Sequence, residues 1–582
     1  MQQRTVRLKS CRKTYTRDQD KALSPEETVT RLLDRLQKLD LRILEEVQRI
    51  DSGRLGIPVY FSVCGQDARE VIGTKKQMGK GSTPEQSMAS ACMELAERFS
   101  FFSFIKNPDN FLVGDYAAMR DGGYPLPSLE LLLQSVHDEN LPVGDLDRLL
   151  AGLPMRWTWA TRLSDNQDLL LPFSWFFAIN EFNGPSAGNT YEEAALQGIS
   201  EVVERHVCAL VTKERLETPA IALKSVQDPV AVQLINAFIN NGIELYLNDF
   251  TLNTGIPTVA ALAWDPVTFP QQSEIVYTAG TTPDPNKALI RALTEVAQLA
   301  GDFNSGSNYV ASGLPKPASL EEVRHILDTG VFCDMDSLVS ISAPDMYEEI
   351  HSCQRALAAI GMEIYCMDVT HGQLQVPALY TSIPGAHFRE RASGGRAALF
   401  AAKLAAELLR GRELEAKLDQ MQSILPGAYY LAFYRGQMLY AQEQTEAALS
   451  HFAQALASSP DPEDLPYIHS YHGACLRDLQ RFDQAVVTLQ QGLAVDEERP
   501  DLHNTLGVCY FKLGDHRQAA RHFQRAIELN PVSAIDYANL GLNLELLGEA
   551  QEAMTQYRVA LELDPGIAFA ASHLAELEGQ YH

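Results

Sequence analysis

Three features of this 582-residue chain predict a mixed α/β (α+β) domain followed by an all-α repeat solenoid. Short apolar runs of strand length alternate with helical segments through residues 1–410. Inside that region, three helical stretches are apolar almost all the way round, each cut by one narrow polar stripe. Beyond residue 425, small and aromatic residues recur with the period of a helical-repeat array.

The N-terminus carries Arg4, Arg7, Lys9, Arg12 and Lys13, but no apolar stretch follows, so it does not read as a secretory leader. Residues 27–50 and 130–151 have helical periodicity and are expected as surface helices. Strands are expected at 57–64, 168–172, 243–247, 258–264 and 362–369. Residues 302–318, rich in Asn, Ser, Gly and Pro, read as a mobile loop. A helical run over 397–424 leads out of the domain, with residues 411–425 as connector and 426–582 as repeats.

The first stripe is Ser90, Glu94, Glu97 and Arg98. The second is Glu193, Gln197, Ser200, Glu201, Glu204 and Arg205, and the third Lys287, Arg291, Thr294, Glu295 and Gln298. At about 100° per residue, the first two occupy sectors roughly 100° and 140° wide, and the third is similarly narrow. A helix apolar on its remaining surface is buried, and buried carboxylates must be paired, metal-bound or neutralised. Glu94 and Glu97 stand three apart, as do Glu201 and Glu204, where like charges repel. A divalent cation would remove that repulsion, and hard oxygen ligands suit magnesium. Any one stripe can also be a solvated face. Three in one chain favour a shared polar cavity. His206, Cys92 and Cys208 lie off the stripes and read as packed side chains.

The composition is that of an ordinary globular protein, 46% hydrophobic and 21% charged. Forty-eight Lys and Arg against 75 Asp and Glu give a net charge of −27, which argues against general nucleic-acid binding and against anionic membranes. The nine cysteines show no Cys-x-x-Cys pair or zinc spacing, and several fall in apolar helical runs. Buried thiols suit a reducing compartment, so the cytoplasm is expected. No apolar run reaches the length of about 18 residues needed to span a bilayer.

In the C-terminal part, Leu506, Gly507, Tyr510, Ala519, Phe523, Ala526 and Pro531 match the tetratricopeptide pattern. Leu540, Gly541, Leu544, Ala553, Tyr557, Ala560 and Pro565 repeat it 34 residues on. Weaker units centre on Gly473, Ala485 and Leu489, and on Gly436, Ala448, Phe452 and Pro460, with a proline-containing insert at 460–466 between them. Residues 567–577 read as a capping helix. Such an array offers a groove to a peptide or protein partner, or it buttresses the domain before it.

Gly79 to Arg98 resembles the first ATP-site motif of YcaO proteins. Asn183 to Thr190, running into Gln197 to Arg205, resembles the second, and Arg291 to Gln298 the third. Lys21, with Thr28 seven residues on, stands where the family has a nucleotide-contacting lysine and hydroxyl. The resemblance covers residues 15–410, and the founding YcaO protein also carries C-terminal tetratricopeptide-like repeats. It implies ATP and Mg2+ as cofactors, bound without a Walker motif, of which this chain has none. It implies Glu94, Glu97, Glu193, Glu201 and Glu204 as magnesium ligands. Lys21, Thr28, Ser90, Arg98, Ser186, Asn189, Gln197, Arg205 and Arg291 would contact nucleotide, with Glu94, Glu201 and Glu295 beside them.

The implied reaction phosphorylates a backbone amide oxygen after a nucleophile has added to the carbonyl, making that oxygen a good leaving group. Azoline-forming members end in a proline-rich tail, whereas this sequence ends Gly579-Gln580-Tyr581-His582, so a sulfur-type modification is expected instead. Examples are thioamidation or support of ribosomal-protein methylthiolation. A non-catalytic ATP-binding adaptor is the alternative, and a two-metal hydrolase a weaker third. Dimerisation is suggested by the family alone. The Gly79-Lys80-Gly81 stretch is either a plain turn or a backbone cradle for an anion.

Overall fold

The computed structural model describes residues 3–73, 77–304, 313–388 and 395–581. They divide into two compact units, Met1–Asp147 with Pro154–Ala397, and Arg148–Leu153 with Ala398–His582.

The first unit is built on three sheets. An antiparallel sheet joins β1 (Leu44–Arg49), β2 (Val59–Cys64) and β3 (Gln77–Lys80). A six-stranded sheet runs β4 (Leu112–Gly114), β5 (Met155–Arg162), β13 (Tyr365–Asp368), β14 (Ala378–Ser382), β7 (Pro185–Ala187), with β6 (Gln167–Pro172) paired to β5. A five-stranded sheet runs β11 (Val276–Thr281), β10 (Thr258–Trp264), β9 (Glu244–Asp249), β8 (Ala220–Ile221), β12 (Phe332–Cys333). Every residue of β10, β11 and β14 is buried, as in strands covered on both faces.

Four helices matter for the site. Helix α1 (Pro25–Leu39) starts at a capping box between Ser24 and Glu27 and stops at Asp40, whose φ of 52° turns the chain left-handed. Helix α2 (Pro84–Lys106) packs on β2 and β3, α3 (Tyr191–Glu214) on β14 and β7, and α4 (Pro285–Ala300) on β10 and β11. Each buries a broad apolar surface, including Ala91, Leu95, Val202, Val203, Leu289 and Leu293.

Several expectations change. Residues 27–50 are a helix followed by a strand, because Asp40 ends α1 and β1 then pairs with β2. Residues 130–151 hold two short helices, Leu129–Ser135 and Val143–Leu150, whose Leu132, Leu146, Leu149 and Leu150 are fully buried, so this is no surface segment. The run over 397–424 is two helices, Ala397–Leu408 and Gly411–Ile424. The middle of the expected loop at 302–318, residues 305–312, lies outside the described residues.

The second unit stacks helix pairs Tyr429–Ala441 with Thr445–Ala457, Leu465–Asp478 with Phe482–Leu493, Pro500–Leu513 with His516–Leu529, and Ala534–Leu546 with Ala550–Leu563. Helix Ala568–Tyr581 follows them. Within each pair a glycine admits the large side chain of the second helix: Gly436 faces Phe452, Gly473 faces Leu489, Gly507 faces Phe523 and Gly541 faces Tyr557. This is the small-to-large complementarity the repeat pattern encodes. Among the described residues no helix is long and apolar enough to cross a membrane.

Candidate functional site

One local device occurs three times. A buried strand ends, a short connection supplies a capping side chain, and a site helix begins. After β3, Thr83 accepts from the Gln86 N–H at 3.2 Å. After β7, Thr190 accepts from Glu193 N–H at 3.2 Å, and after β11, Asp284 accepts from Asn286 N–H at 2.8 Å. Glycine allows strand and helix to touch. A Cβ on Gly79 would collide with Ser87 O and Ala91 N of α2, and one on Gly280 with Ala288 O of α4. Gly79-Lys80-Gly81 is therefore chiefly a close-approach segment, with Lys80 closing β3.

The stripes of α2, α3 and α4 converge on one acid–base cluster. Arg98 lies 3.9 Å from Glu94 and 3.5 Å from Glu97. Arg205 lies 3.9 Å from Glu201 and 3.6 Å from Glu204. Arg291 crosses from α4 to α3, with Nε 3.4 Å from Glu204 Oε2 and a 3.0 Å hydrogen bond to Gln197 Oε1. Lys80 forms an ion pair with Glu295. Five carboxylates thus face four cations.

A second group surrounds Glu193, which is 5% exposed. Its carboxylate accepts from Ala22 N–H at 2.9 Å and lies 3.8 Å from Lys21 Nζ. Asn189 Nδ2 donates to Thr28 Oγ1 at 3.0 Å and to Glu193 at 3.3 Å. Between this group and the cluster is a cleft bordered by Lys21, Glu193, Gln197, Ser200, Lys287 and Arg291. The chain before α1 runs along the cleft, tied by Lys287 Nζ donating to Arg17 O at 2.5 Å and Ser82 Oγ donating to the buried Asp18 at 2.5 Å. Lys13, between Asp20 (2.6 Å) and the fully buried Glu349 (2.5 Å), anchors the same segment.

Two expected residues stand apart. Ser186 is fully buried beneath α3, against Gly198, and does not border the cleft. Ser90 is half-buried on α2. His206 is packed off the stripe, its Nδ1 accepting from His387 N–H at 3.0 Å. Cys92 and Cys208 are buried, and burial pushes the Cys92 thiol up to about 12, which removes thiolate chemistry. Sequence reasoning missed the Lys80–Glu295 pair and the Asp18–Ser82 and Lys13–Glu349 ties. Each joins residues too far apart in the chain for any periodic pattern to link them.

The acids differ in their ionisation. Burial pushes Glu97 well above the usual carboxylate range, against Arg98 and with Glu201 and Glu94 adding repulsion. Burial also raises Glu94 and Glu204, opposed by Arg98 and by Arg291 with Arg205 respectively. Glu295 goes the other way: burial is outweighed by Lys80, Arg205 and Arg291, and its carboxyl is lowered. Glu204 Oε2 and Arg291 Nε are both buried without a hydrogen-bond partner. Among the described residues no three Asp, Glu, His or Cys side chains form a ready metal cage. Oxygen-only donors, spare buried bonding capacity and adjacent cations fit a hydrated magnesium that completes its shell with phosphate oxygens.

A family profile described as YcaO cyclodehydratase, ATP- and Mg2+-binding, matches residues 78–387, more than half of the chain. The chain belongs to the YcaO family. ATP and Mg2+ are the cofactors of that domain. A tetratricopeptide-repeat profile matches residues 500–531, within the helix pairs that follow the YcaO region. A protein of Methanothermobacter thermautotrophicus is 27% identical over 385 residues, 62% of this chain and 94% of the relative. The Escherichia coli ribosomal protein S12 methylthiotransferase accessory factor YcaO is 27% identical over 311 residues. The match spans 50% of this chain and 50% of the E. coli protein. The solved structure of a heterocyclase in complex with substrate and cofactor shares the fold, with a TM-score of 0.53 at 24% identity over 69% of this chain and 57% of that one.

Proposed function

We propose that this YcaO protein uses ATP and Mg2+ to activate a backbone amide of a peptide or protein, in support of a sulfur-type modification. The observation that carries this reading is the meeting of three polar stripes around buried Glu204 Oε2 and Arg291 Nε, an ion pair 3.4 Å apart in which neither atom makes a hydrogen bond. In a ligand-free protein such atoms cost free energy unless a ligand uses them.

Bound ATP supplies the phosphoryl group that turns an amide oxygen into a leaving phosphate. The chain's own residues bind, orient and screen. Glu94, Glu97, Glu201 and Glu204 present oxygens for magnesium, and Glu193 presents a fifth carboxylate across the cleft. Arg98, Arg205 and Arg291 stand beside those acids, where they would meet phosphate oxygens, with Gln197 holding Arg291 in place. Lys21 borders the other end of the cleft, with Thr28 and Asn189 hydrogen-bonded to one another beside Glu193; Ser90 and Glu295 would complete the nucleotide set, whereas Ser186 is buried away from the cleft. Residues 1–410 would carry this chemistry, 411–425 connect, and 426–582 receive the protein partner. The name of the E. coli relative supports methylthiolation as the finer form. The buried cysteines are all free, which suits a reducing cytoplasm.

The test is ATP hydrolysis and Mg-ATP binding by the purified protein, with and without candidate peptides. Binding without any peptide-stimulated turnover would favour the adaptor reading, and no binding at all would remove both.

A further inference from the structure

The side chain of Lys13 is only 4% exposed, although it does not border the cleft. Its ammonium lies 2.5 Å from Glu349, a fully buried acid of the helix Met346–Ala358, and 2.6 Å from Asp20. Glu349 Oε1 also accepts from Ala343 N–H at 3.1 Å, while its Oε2 is buried without a hydrogen bond. Between Lys13 and Lys21 the chain folds back on itself. Thr14 and Tyr15 N–H donate to Lys21 O at 3.1 and 3.2 Å, and Lys21 N–H donates to Tyr15 O at 2.9 Å. The root of this hairpin is held by Lys13 N–H donating to Pro344 O at 3.1 Å and Met346 N–H to Cys11 O at 2.9 Å. Its tip is held by Lys287 at Arg17 O and by Ser82 at Asp18. Lys13 grips the return arm at Asp20, and the next residue, Lys21, borders the cleft 3.8 Å from Glu193. A buried ion pair is a costly way to fill space: apolar side chains of similar volume are often as stable, and what the pair adds is a fixed geometry. Asp20 borders the cleft too, where an acid repels a triphosphate. Its grip on Lys13, rather than any ligand contact, accounts for an acid there.

We propose that Lys13 is a positioning residue for nucleotide: by gripping Asp20 it fixes Lys21 at the border of the cleft, in place to meet an anionic ligand. The inference rests on reading the cleft as the Mg-ATP site. Because the root and tip of the hairpin have ties of their own, losing the Lys13 grip frees the return arm without unfolding the segment.

Calorimetric titration of the full-length chain with a non-hydrolysable ATP analogue and Mg2+ tests this. K13M/E349M removes both buried charges together, so no carboxylate is left unpaired, and should melt close to wild type. It should nevertheless bind the analogue about tenfold more weakly. D20A should weaken binding by a similar factor, although charge alone predicts the opposite, since it deletes an acid beside the phosphates. K21A should cost about tenfold in wild type and much less in K13M/E349M, because both changes act through one group. D20A alters a side chain at the cleft border and takes the place of K13M/E349M in that comparison if the latter folds poorly. D20A binding as tightly as wild type, or more tightly, would overturn the inference, as would a K21A effect undiminished once the grip is gone. Wild type taking up no analogue would instead sink the Mg-ATP reading, and this inference with it.

Discussion

Glu97 is a carboxylate held where its charge is disfavoured, since burial and the neighbouring Glu201 and Glu94 outweigh Arg98. Its folded-state value lies above the unfolded one, so the native state binds the extra proton. Ligand-free stability should therefore fall as pH rises from about 4.5 toward that raised value, the reverse of an ordinary salt-bridged acid. Glu97→Gln should flatten this slope and stabilise the ligand-free protein by about 1–3 kcal/mol in urea melts at neutral pH. The same change should lower ATP turnover by about 100-fold or more, a loss typical of removing one preorganised charged group. Sequence alone exposed this residue because helical periodicity puts Glu94, Glu97 and Arg98 on one side. It could not expose Lys80, which meets Glu295 across 215 positions of chain, or Asp18, whose partner Ser82 is 64 positions away.

At the level of elements, contact between helix and sheet sets how accurately the stripes meet. Gly280→Ala would press a methyl into Ala288 O and Ala292 N, backbone atoms that have no rotamer to yield. About 3 kcal/mol of stability should be lost, measured by urea unfolding, together with weaker Mg-ATP binding as α4 lifts from β11. On the far side of α3, the rings of His137 and His387 stack at 3.8 Å and those of His206 and His387 at 5.4 Å. Burial and mutual repulsion lower His206 to about 4 and His387 to about 3. The unfolded chain takes up protons first, so stability should be full above about pH 6.5 and fall as pH drops toward 4, by about 1.4 kcal/mol per pH unit for the buried His206. His206→Phe should reduce that slope in urea titrations at pH 7 and pH 5. The helices were readable because their apolar surfaces are long. Strands such as β11 and β14 were not, because six and five wholly buried residues show no alternation to separate them from helix or loop.

For the molecule as a whole, the two units are not successive lengths of chain. The second includes Arg148–Leu153, pinned by Lys417 Nζ donating to Ala151 O at 2.5 Å and Gln420 Nε2 to Arg148 O at 3.1 Å. Stopping the chain at residue 397 would strip those partners from Ala151 and Arg148 and remove the rest of the unit to which the fully buried Leu149, Leu150 and Leu153 belong. Such a protein should bind a hydrophobic dye and melt several degrees lower than the full chain, a test by fluorescence and calorimetry. No periodicity announces a loan of six residues, whereas the repeats announced themselves through glycines facing large side chains. The acid cluster needs residues from Lys80 to Glu295. A ribosome adding 5–20 residues per second would spend roughly 10–40 s between the earliest and the last of these groups. Throughout that interval the acid cluster would be incomplete, and the site proposed for Mg-ATP would be assembled only once translation has passed α4.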